Sequence, residues 1–122
     1  MKDKYFLVTG SSSGIGRAIT VKLLDAGAKV IGVARNHNRL KLEHKNYFTY
    51  TIDLKNSDHL EKQIKKIIQD NPEINGLVSN AGYGEFGPLE NFSIKDISEF
   101  VSMNLTSHII ITKCLLPHFK KK

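Results

Sequence analysis

The stretch that decides the fold is residues 5–16, which read Tyr5-Phe6-Leu7-Val8-Thr9-Gly10-Ser11-Ser12-Ser13-Gly14-Ile15-Gly16. A short apolar run, which predicts a strand, is followed by a cluster of glycine and serine residues. Apolar residues then recur at helical spacing as far as Ala26, and Gly27 follows at the place where a glycine commonly ends a helix. The stretch therefore predicts a strand, a tight turn and a helix in immediate succession.

The rest of the chain continues this alternation. Apolar and β-branched runs predict three further strands, at 29–34, 47–52 and 77–79. One helix is predicted after the third strand, with Ser57 or Asp58 as its cap, and another from Ser93 to the end of the chain. Strands that alternate with helices pair in parallel through right-handed crossovers. We therefore predict an α/β fold, a doubly wound Rossmann-like sheet with strand order 3-2-1-4, and a single domain over residues 1–122.

Composition argues against several classes of function. The single cysteine, Cys114, rules out an internal disulfide framework and suits a reducing cytoplasm. No apolar run approaches the about 18 residues of a membrane span, and the first residues lack the apolar region of a signal peptide. The net charge is +6, but the lysines are dispersed and no nucleic-acid-reading motif lies among them. We therefore expect a cytoplasmic protein without a nucleic-acid or membrane partner.

The glycine-rich turn has the features of a phosphate site. Gly10 lets the strand turn sharply, Gly14 lets the backbone approach a phosphate, and Gly16 lets the helix pack closely on the sheet. The new helix then points free N–H groups and the positive end of its dipole at the anion. Further hydrogen bonds can come from the hydroxyls of Ser11, Ser12 and Ser13. Residues 10–16, Ile15 included, thus predict a site for the pyrophosphate of a nicotinamide dinucleotide; the alternative is a tight turn without a ligand.

The spacing of this turn, G-x-x-x-G-x-G, resembles the cofactor loop of the short-chain dehydrogenase/reductase family. Further motifs stand in the family's order along nearly the whole chain: Asp53-Leu54, Asn80-Ala81-Gly82 and Asn104. The resemblance implies an oxidoreductase in which Asp53 and the backbone of Leu54 contact the adenine. It also implies that Asn80, Ala81 and Gly82 line the adenosine ribose and that Asn104 is the remnant of a proton relay. Taken singly, Asp53 could be a turn former and Asn104 a tolerated polar residue on a helix.

The choice of cofactor depends on the end of the second strand, Ala34-Arg35-Asn36. An NAD site usually has an acidic residue there, which bonds the ribose 2′-hydroxyl. Without that carboxylate, the guanidinium fork of Arg35 can meet a 2′-phosphate. Members of the family that prefer NADP look similar here, although many also carry a basic residue where this chain has Ser13. We therefore expect NADP(H) rather than NAD(H), with Arg35 and Asn36 as contacts; the alternative for Arg35 is a solvated surface charge.

The family's catalytic groups are the part of the pattern that this sequence does not contain. The resemblance implies a tyrosine with a lysine four residues later, and a serine on a fifth strand. None of the four tyrosines has that lysine: Tyr5, Tyr47, Tyr50 and Tyr83. His108 is expected to be a surface or packed residue rather than a substitute for these catalytic groups.

We expect a chain that is truncated before the fifth strand and binds cofactor without completing turnover alone. It is then either a truncated product or a non-catalytic dinucleotide-binding sensor or interaction module. The edge of the fourth strand and the apolar stripe of the last helix would both be uncovered. We therefore also expect a homo-oligomer that forms through one or both of these surfaces.

Overall fold

The computed structural model describes residues 1–12, 14–35, 42–82 and 87–121. In this part of the chain the strands β1 (Tyr5–Thr9), β2 (Lys29–Ala34), β3 (Tyr47–Thr51) and β4 (Gly76–Val78) form one sheet. Every pairing is parallel and the order is β3-β2-β1-β4, so the predicted topology is confirmed. The assignment of the whole chain to a single domain stays a prediction.

The described helices are α1 (Gly14–Asp25), α2 (Leu60–Asp70), α3 (Ile94–Val101) and α4 (Ser107–Lys120). A 3₁₀ turn at Leu89–Asn91 precedes α3, and a π-helical segment at Ser102–Thr106 joins α3 to α4. The single long helix expected from Ser93 is therefore interrupted. Its start is a capping box, in which the Asp96 N–H donates to the Ser93 hydroxyl at 3.0 Å and the Ser93 N–H donates to the Asp96 carboxylate at 3.1 Å.

Two predicted helix ends have different outcomes. Gly27 has a φ of +90° and closes α1 as predicted, with its N–H and that of Ala28 bonded to carbonyls of the last helical turn. The cap predicted for α2 at Ser57 or Asp58 is wrong, because α2 begins later, after His59, and no side chain caps it. Turns centred on the side chains of Asp53 and Asn56, which accept N–H bonds at 3.0 and 3.1 Å, occupy the segment before the helix.

Helices cover both faces of the sheet. On one face α2 and α4 pack together, and buried Ile64, Ile67, Ile111 and Leu115 join the core beneath strands β1 and β2. On the other face α1 contributes Leu24 to a smaller cluster. Burial on both sides explains why β2 is almost entirely apolar.

None of the helices in the described ranges has the length and apolar character that a bilayer crossing requires. The cytoplasmic location stays a prediction.

Candidate cofactor-binding site

Thr9, the last residue of β1, holds the carboxyl ends of β1 and β4 together. Its side chain is completely buried, and its hydroxyl oxygen accepts the backbone N–H groups of Asn80 at 2.9 Å and Ala81 at 3.0 Å. The side-chain amide of Asn80 also reaches the Gly10 carbonyl at 3.4 Å. The glycine-rich turn and the Asn80-Ala81-Gly82 segment, separate motifs in the sequence, are therefore neighbours at one edge of the sheet.

Close packing fixes the position of α1 behind the turn. A Cβ on Gly16 would collide with the Gly10 carbonyl and stand 2.5 Å from the Asn80 amide nitrogen. Gly14 has a left-handed φ of +56°, and a Cβ there would meet nothing within 4 Å. The first turn of α1 carries no acidic side chain, so the positive end of its dipole stays uncompensated by the helix itself. The adjacent Ile15 side chain is 72% exposed, which leaves an apolar surface beside this helix end.

The serines of the turn differ in where they point. The Ser11 side chain is only 1% exposed, and its hydroxyl lies 3.0 Å from that of Tyr47. The structure therefore places the Ser11 side chain behind the turn. Ser12 is half-buried. Ser13 and Asn36, two further predicted contacts, lie outside the described residues.

The ends of β2 and β3 bring the next two predicted residues to the same edge. Ala34 and Thr51 are paired in the sheet, and Arg35 and Asp53 follow them, both exposed. The Asp53 carboxylate accepts the N–H of Lys55 at 3.0 Å, so this residue does form a turn. Leu54 is a core residue, 2% exposed.

The interrupted last helix carries two side chains that face the Asn80-Ala81-Gly82 segment. Asn104 lies inside the π-helical segment, and its amide donates to the Phe100 carbonyl at 2.9 Å. A Cβ on Gly82 would stand 2.6 Å from the Asn104 side-chain oxygen, so Gly82 makes room for that side chain. His108, four residues further on, places Nε2 2.6 Å from the Ala81 carbonyl oxygen. Because a carbonyl only accepts, Nε2–H is the donor, which makes His108 a packed residue of this site.

Sequence reasoning gave no role at the site to Tyr47, to His108 or to the side chain of Thr9. Each nevertheless leaves a trace in the sequence. Thr9 is the polar last residue of an otherwise apolar strand, and His108 stands one helical turn after Asn104. Tyr47 faces a strand in which Gly32 interrupts a branched apolar run, and that interruption indicates that another group comes close.

A parallel sheet covered on both faces, with a glycine-rich turn after its first strand, defines a nucleotide-binding protein of the Rossmann type. The family model described as short chain dehydrogenase matches residues 4–122. The chain belongs to this family of oxidoreductases, whose members bind a nicotinamide dinucleotide.

Individual relatives agree with this assignment. The 3-oxoacyl-(acyl-carrier-protein) reductase FabG of Buchnera aphidicola is 32% identical over 100% of this chain and 52% of its own length. The ligand-free aldohexose dehydrogenase of Thermoplasma acidophilum superposes with a TM-score of 0.83 and 30% identity, over 99% of this chain and 46% of that one. A metagenomic short-chain oxidoreductase in complex with NADP has a TM-score of 0.87 and 27% identity, over 97% and 57% of the two chains. The chain spans about half the length of the curated relatives it matches.

Proposed function

We propose that the chain binds NADP(H) along the carboxyl edge of its sheet. The proposed contacts are the glycine-rich turn at residues 10–16, Arg35 and Asn36, Asp53 and Leu54, and residues 80–82. The observation that carries the proposal is the Thr9 hydroxyl, which ties Asn80 and Ala81 to the strand that leads into the turn. Two segments that contact different parts of one dinucleotide in the proposed arrangement therefore share one support.

The preference for the phosphorylated cofactor rests on Arg35. It is exposed directly after β2, and no carboxylate stands at positions 34–36. A dianionic 2′-phosphate gains charge-assisted hydrogen bonds from a guanidinium, whereas a ribose 2′-hydroxyl gains little. The complex of one structural neighbour with NADP is consistent with this preference.

Titration of the 122-residue chain with NADPH and with NADH tests both statements. NADPH is expected to bind more tightly, and Arg35→Ala to weaken NADPH by about tenfold or more while it leaves NADH unchanged. Lys66→Ala, which removes the same charge from an exposed position on α2, is the control and should alter neither affinity. Equal affinities in the unchanged chain would refute the preference, and the absence of binding to both would refute the site.

We further propose that the chain does not complete hydride transfer alone, since its sequence contains no Tyr-x-x-x-Lys. A binding-only role as a dinucleotide sensor or interaction module would use the same site without any hydride transfer. An assay of NADPH consumption against a panel of aldehydes and ketones distinguishes an oxidoreductase that turns over from a chain that only binds the cofactor. Turnover above the enzyme-free rate would show that other groups of the chain supply the acid and base.

The proposed partner is a second copy of the chain, bound through the exposed apolar side of α3 and α4. This side carries Ile94, Ile97, Val101, Leu105, Ile109 and Leu116, which are 37–83% exposed. The spacing is nearly symmetric about Leu105, with Val101 and Ile109 four residues away and Ile94 and Leu116 eleven residues away. Two antiparallel copies would therefore bring matching apolar positions together around a two-fold axis.

Charge supports the same arrangement. The start of this segment is net acidic, with Glu90, Asp96 and Glu99 against Lys95, which lies 4.0 Å from Glu99, whereas basic Lys113 and Lys120 lie toward its end. Antiparallel pairing sets the acidic end of one copy against the basic end of the other. The competing edge of β4 is only three residues long, and a short edge strand is a weak template for pairing.

Sedimentation at increasing chain concentration measures this association. We expect a dimer, and we expect Leu105→Glu to dissociate it because two carboxylates would meet at the axis. Leu89→Glu, a change of the same kind at a side chain 72% exposed and outside the symmetric stripe, is the control. A monomer at high micromolar concentration, or a dimer that Leu105→Glu leaves intact, would overturn the proposal.

A further inference from the structure

The hydroxyl groups of Ser11 and Tyr47 meet over Gly32, and three different parts of the chain contribute to this contact. Ser11 belongs to the glycine-rich turn, Gly32 to β2 and Tyr47 to the first position of β3. The two hydroxyl oxygens are 3.0 Å apart. We propose that Tyr47 is a positioning residue of the dinucleotide site, which holds the glycine-rich turn in its binding conformation through Ser11. This inference rests on the proposed function and assigns a role to a residue outside the proposed contacts.

Gly32 creates the space in which the two hydroxyls meet. A Cβ at this position would collide with the Ser11 oxygen and stand 2.6 Å from the Tyr47 oxygen. The residues of β2 on the same face as Gly32, Val30 and Ala34, are both buried. The missing side chain is therefore a local gap in an otherwise filled strand, and the two hydroxyls occupy it.

The sheet register explains how Tyr47 reaches the turn. Its Cα pairs with Val30, near the amino end of β2, so the side chain extends along the sheet toward the carboxyl edge. The ring packs against the cluster of Val8, Leu24 and Val30, on the face that α1 covers. The apolar contact fixes the ring, and the fixed ring presents its hydroxyl to Ser11.

The turn needs such an anchor because its backbone is permissive. Gly10 and Gly14, on either side of Ser11, both adopt a left-handed φ that glycine reaches without strain. Glycine also loses more conformational freedom on ordering than other residues, so an unanchored turn would pay this entropy when the cofactor binds. A hydrogen bond to Ser11 restricts the turn before binding.

The expected effect is on affinity rather than on folding. Tyr47→Phe keeps the ring and removes only the hydroxyl, and it is expected to raise the Kd for NADPH about three- to tenfold. Ser11→Ala should do the same. The double variant should be no weaker than either single variant, because both changes remove one interaction.

Tyr50→Phe is the matched control. The Tyr50 hydroxyl accepts the side-chain N–H of Asn71 at 3.1 Å, and the Tyr50 ring packs against the core on the opposite face of the sheet. Loss of this hydroxyl should leave the Kd for NADPH unchanged. Thermal unfolding of all four variants separates a general loss of stability from the loss of positioning.

Hydrogen exchange of the cofactor-free chain provides a readout that does not depend on binding. Backbone amides of residues 10–12 and 14–16 should exchange faster in Tyr47→Phe and Ser11→Ala, and at the unchanged rate in Tyr50→Phe. A Tyr47→Phe chain with unchanged exchange and unchanged Kd would overturn the inference, as would additive losses in the double variant. If the unchanged chain binds neither NADPH nor NADH, the proposed function fails, and the exchange rates alone decide whether Tyr47 orders the turn.

Discussion

Replacement of Thr9 by valine tests the support on which the whole site is built. Valine has the same shape as threonine and suits a strand equally well. The substitution therefore removes one oxygen and leaves the volume of the core almost unchanged. That oxygen accepts two backbone N–H groups, those of Asn80 and Ala81.

The expected magnitude follows from what those two donors lose. A buried donor left without a partner costs about 1–3 kcal/mol. Asn80 and Ala81 are only half-buried, so water recovers part of the loss and the lower half of that range applies to each. We expect Thr9→Val to lower the free energy of unfolding by about 2–4 kcal/mol, a large share of the about 5–15 kcal/mol of a typical domain.

Urea denaturation at one fixed chain concentration measures this loss, with Thr20→Val as the control. Thr20 is as completely buried as Thr9, but its hydroxyl donates to the Gly16 carbonyl of its own helix at 2.8 Å. The Gly16 carbonyl also accepts a backbone hydrogen bond within the helix, so loss of the Thr20 hydroxyl as its second donor should lower the free energy of unfolding by less than about 1 kcal/mol. Equal effects of the two substitutions would refute the reasoning, because they would show that loss of the Thr9 oxygen costs the Asn80 and Ala81 N–H groups no more than loss of a hydroxyl within a helix costs.

Two further predictions concern the glycines of the site and the single cysteine. Gly16→Ala should lower the free energy of unfolding by about 1–3 kcal/mol because its Cβ meets the Gly10 carbonyl. Gly82→Ala should lower it by less than about 1 kcal/mol because the Asn104 side chain can rotate away. Urea denaturation compares the two variants, and a larger loss for Gly82→Ala would contradict the geometry. Burial raises the pKa of the Cys114 thiol above its usual value. Alkylation near neutral pH should therefore be slower than in the urea-unfolded chain and accelerate as the pH rises, and equal rates would contradict this.

The elements of the fold were predictable where the sequence pattern has a single physical reading. Residues 29–34 form the strand expected of them because an apolar run of this length, bounded by Gly27 and Arg35, matches a strand buried on both faces. Gly27 ends α1 because few residues other than glycine tolerate its left-handed backbone. Local chemistry decides both features, so the sequence alone is sufficient for them.

The features that sequence reasoning missed depend on competition between local structures. Ser57 and Asp58 are good cap residues, yet turns organised by Asp53 and Asn56 delay the helix beyond them. The apolar stripe of the last helix was predicted as one surface. In the structure Ile111 and Leu115 enter the core, while Leu105 and Ile109 stay exposed. A helix that is apolar on two sides gives no sequence signal as to which side meets its own sheet.

The candidate site combines both situations. The strand order makes β4 and β2 the neighbours of β1, so segments that follow these three strands must meet at one edge whatever their side chains. That much follows from topology, which the alternation of strands and helices predicts. The atoms that fix the segments to each other do not follow from topology. A threonine oxygen between two backbone amides and a tyrosine hydroxyl over a glycine are particular solutions of this chain, visible only when the side chains are in place. Substitutions at Thr9 and Tyr47 therefore test the structure itself, whereas substitutions at the glycine-rich turn test the motif.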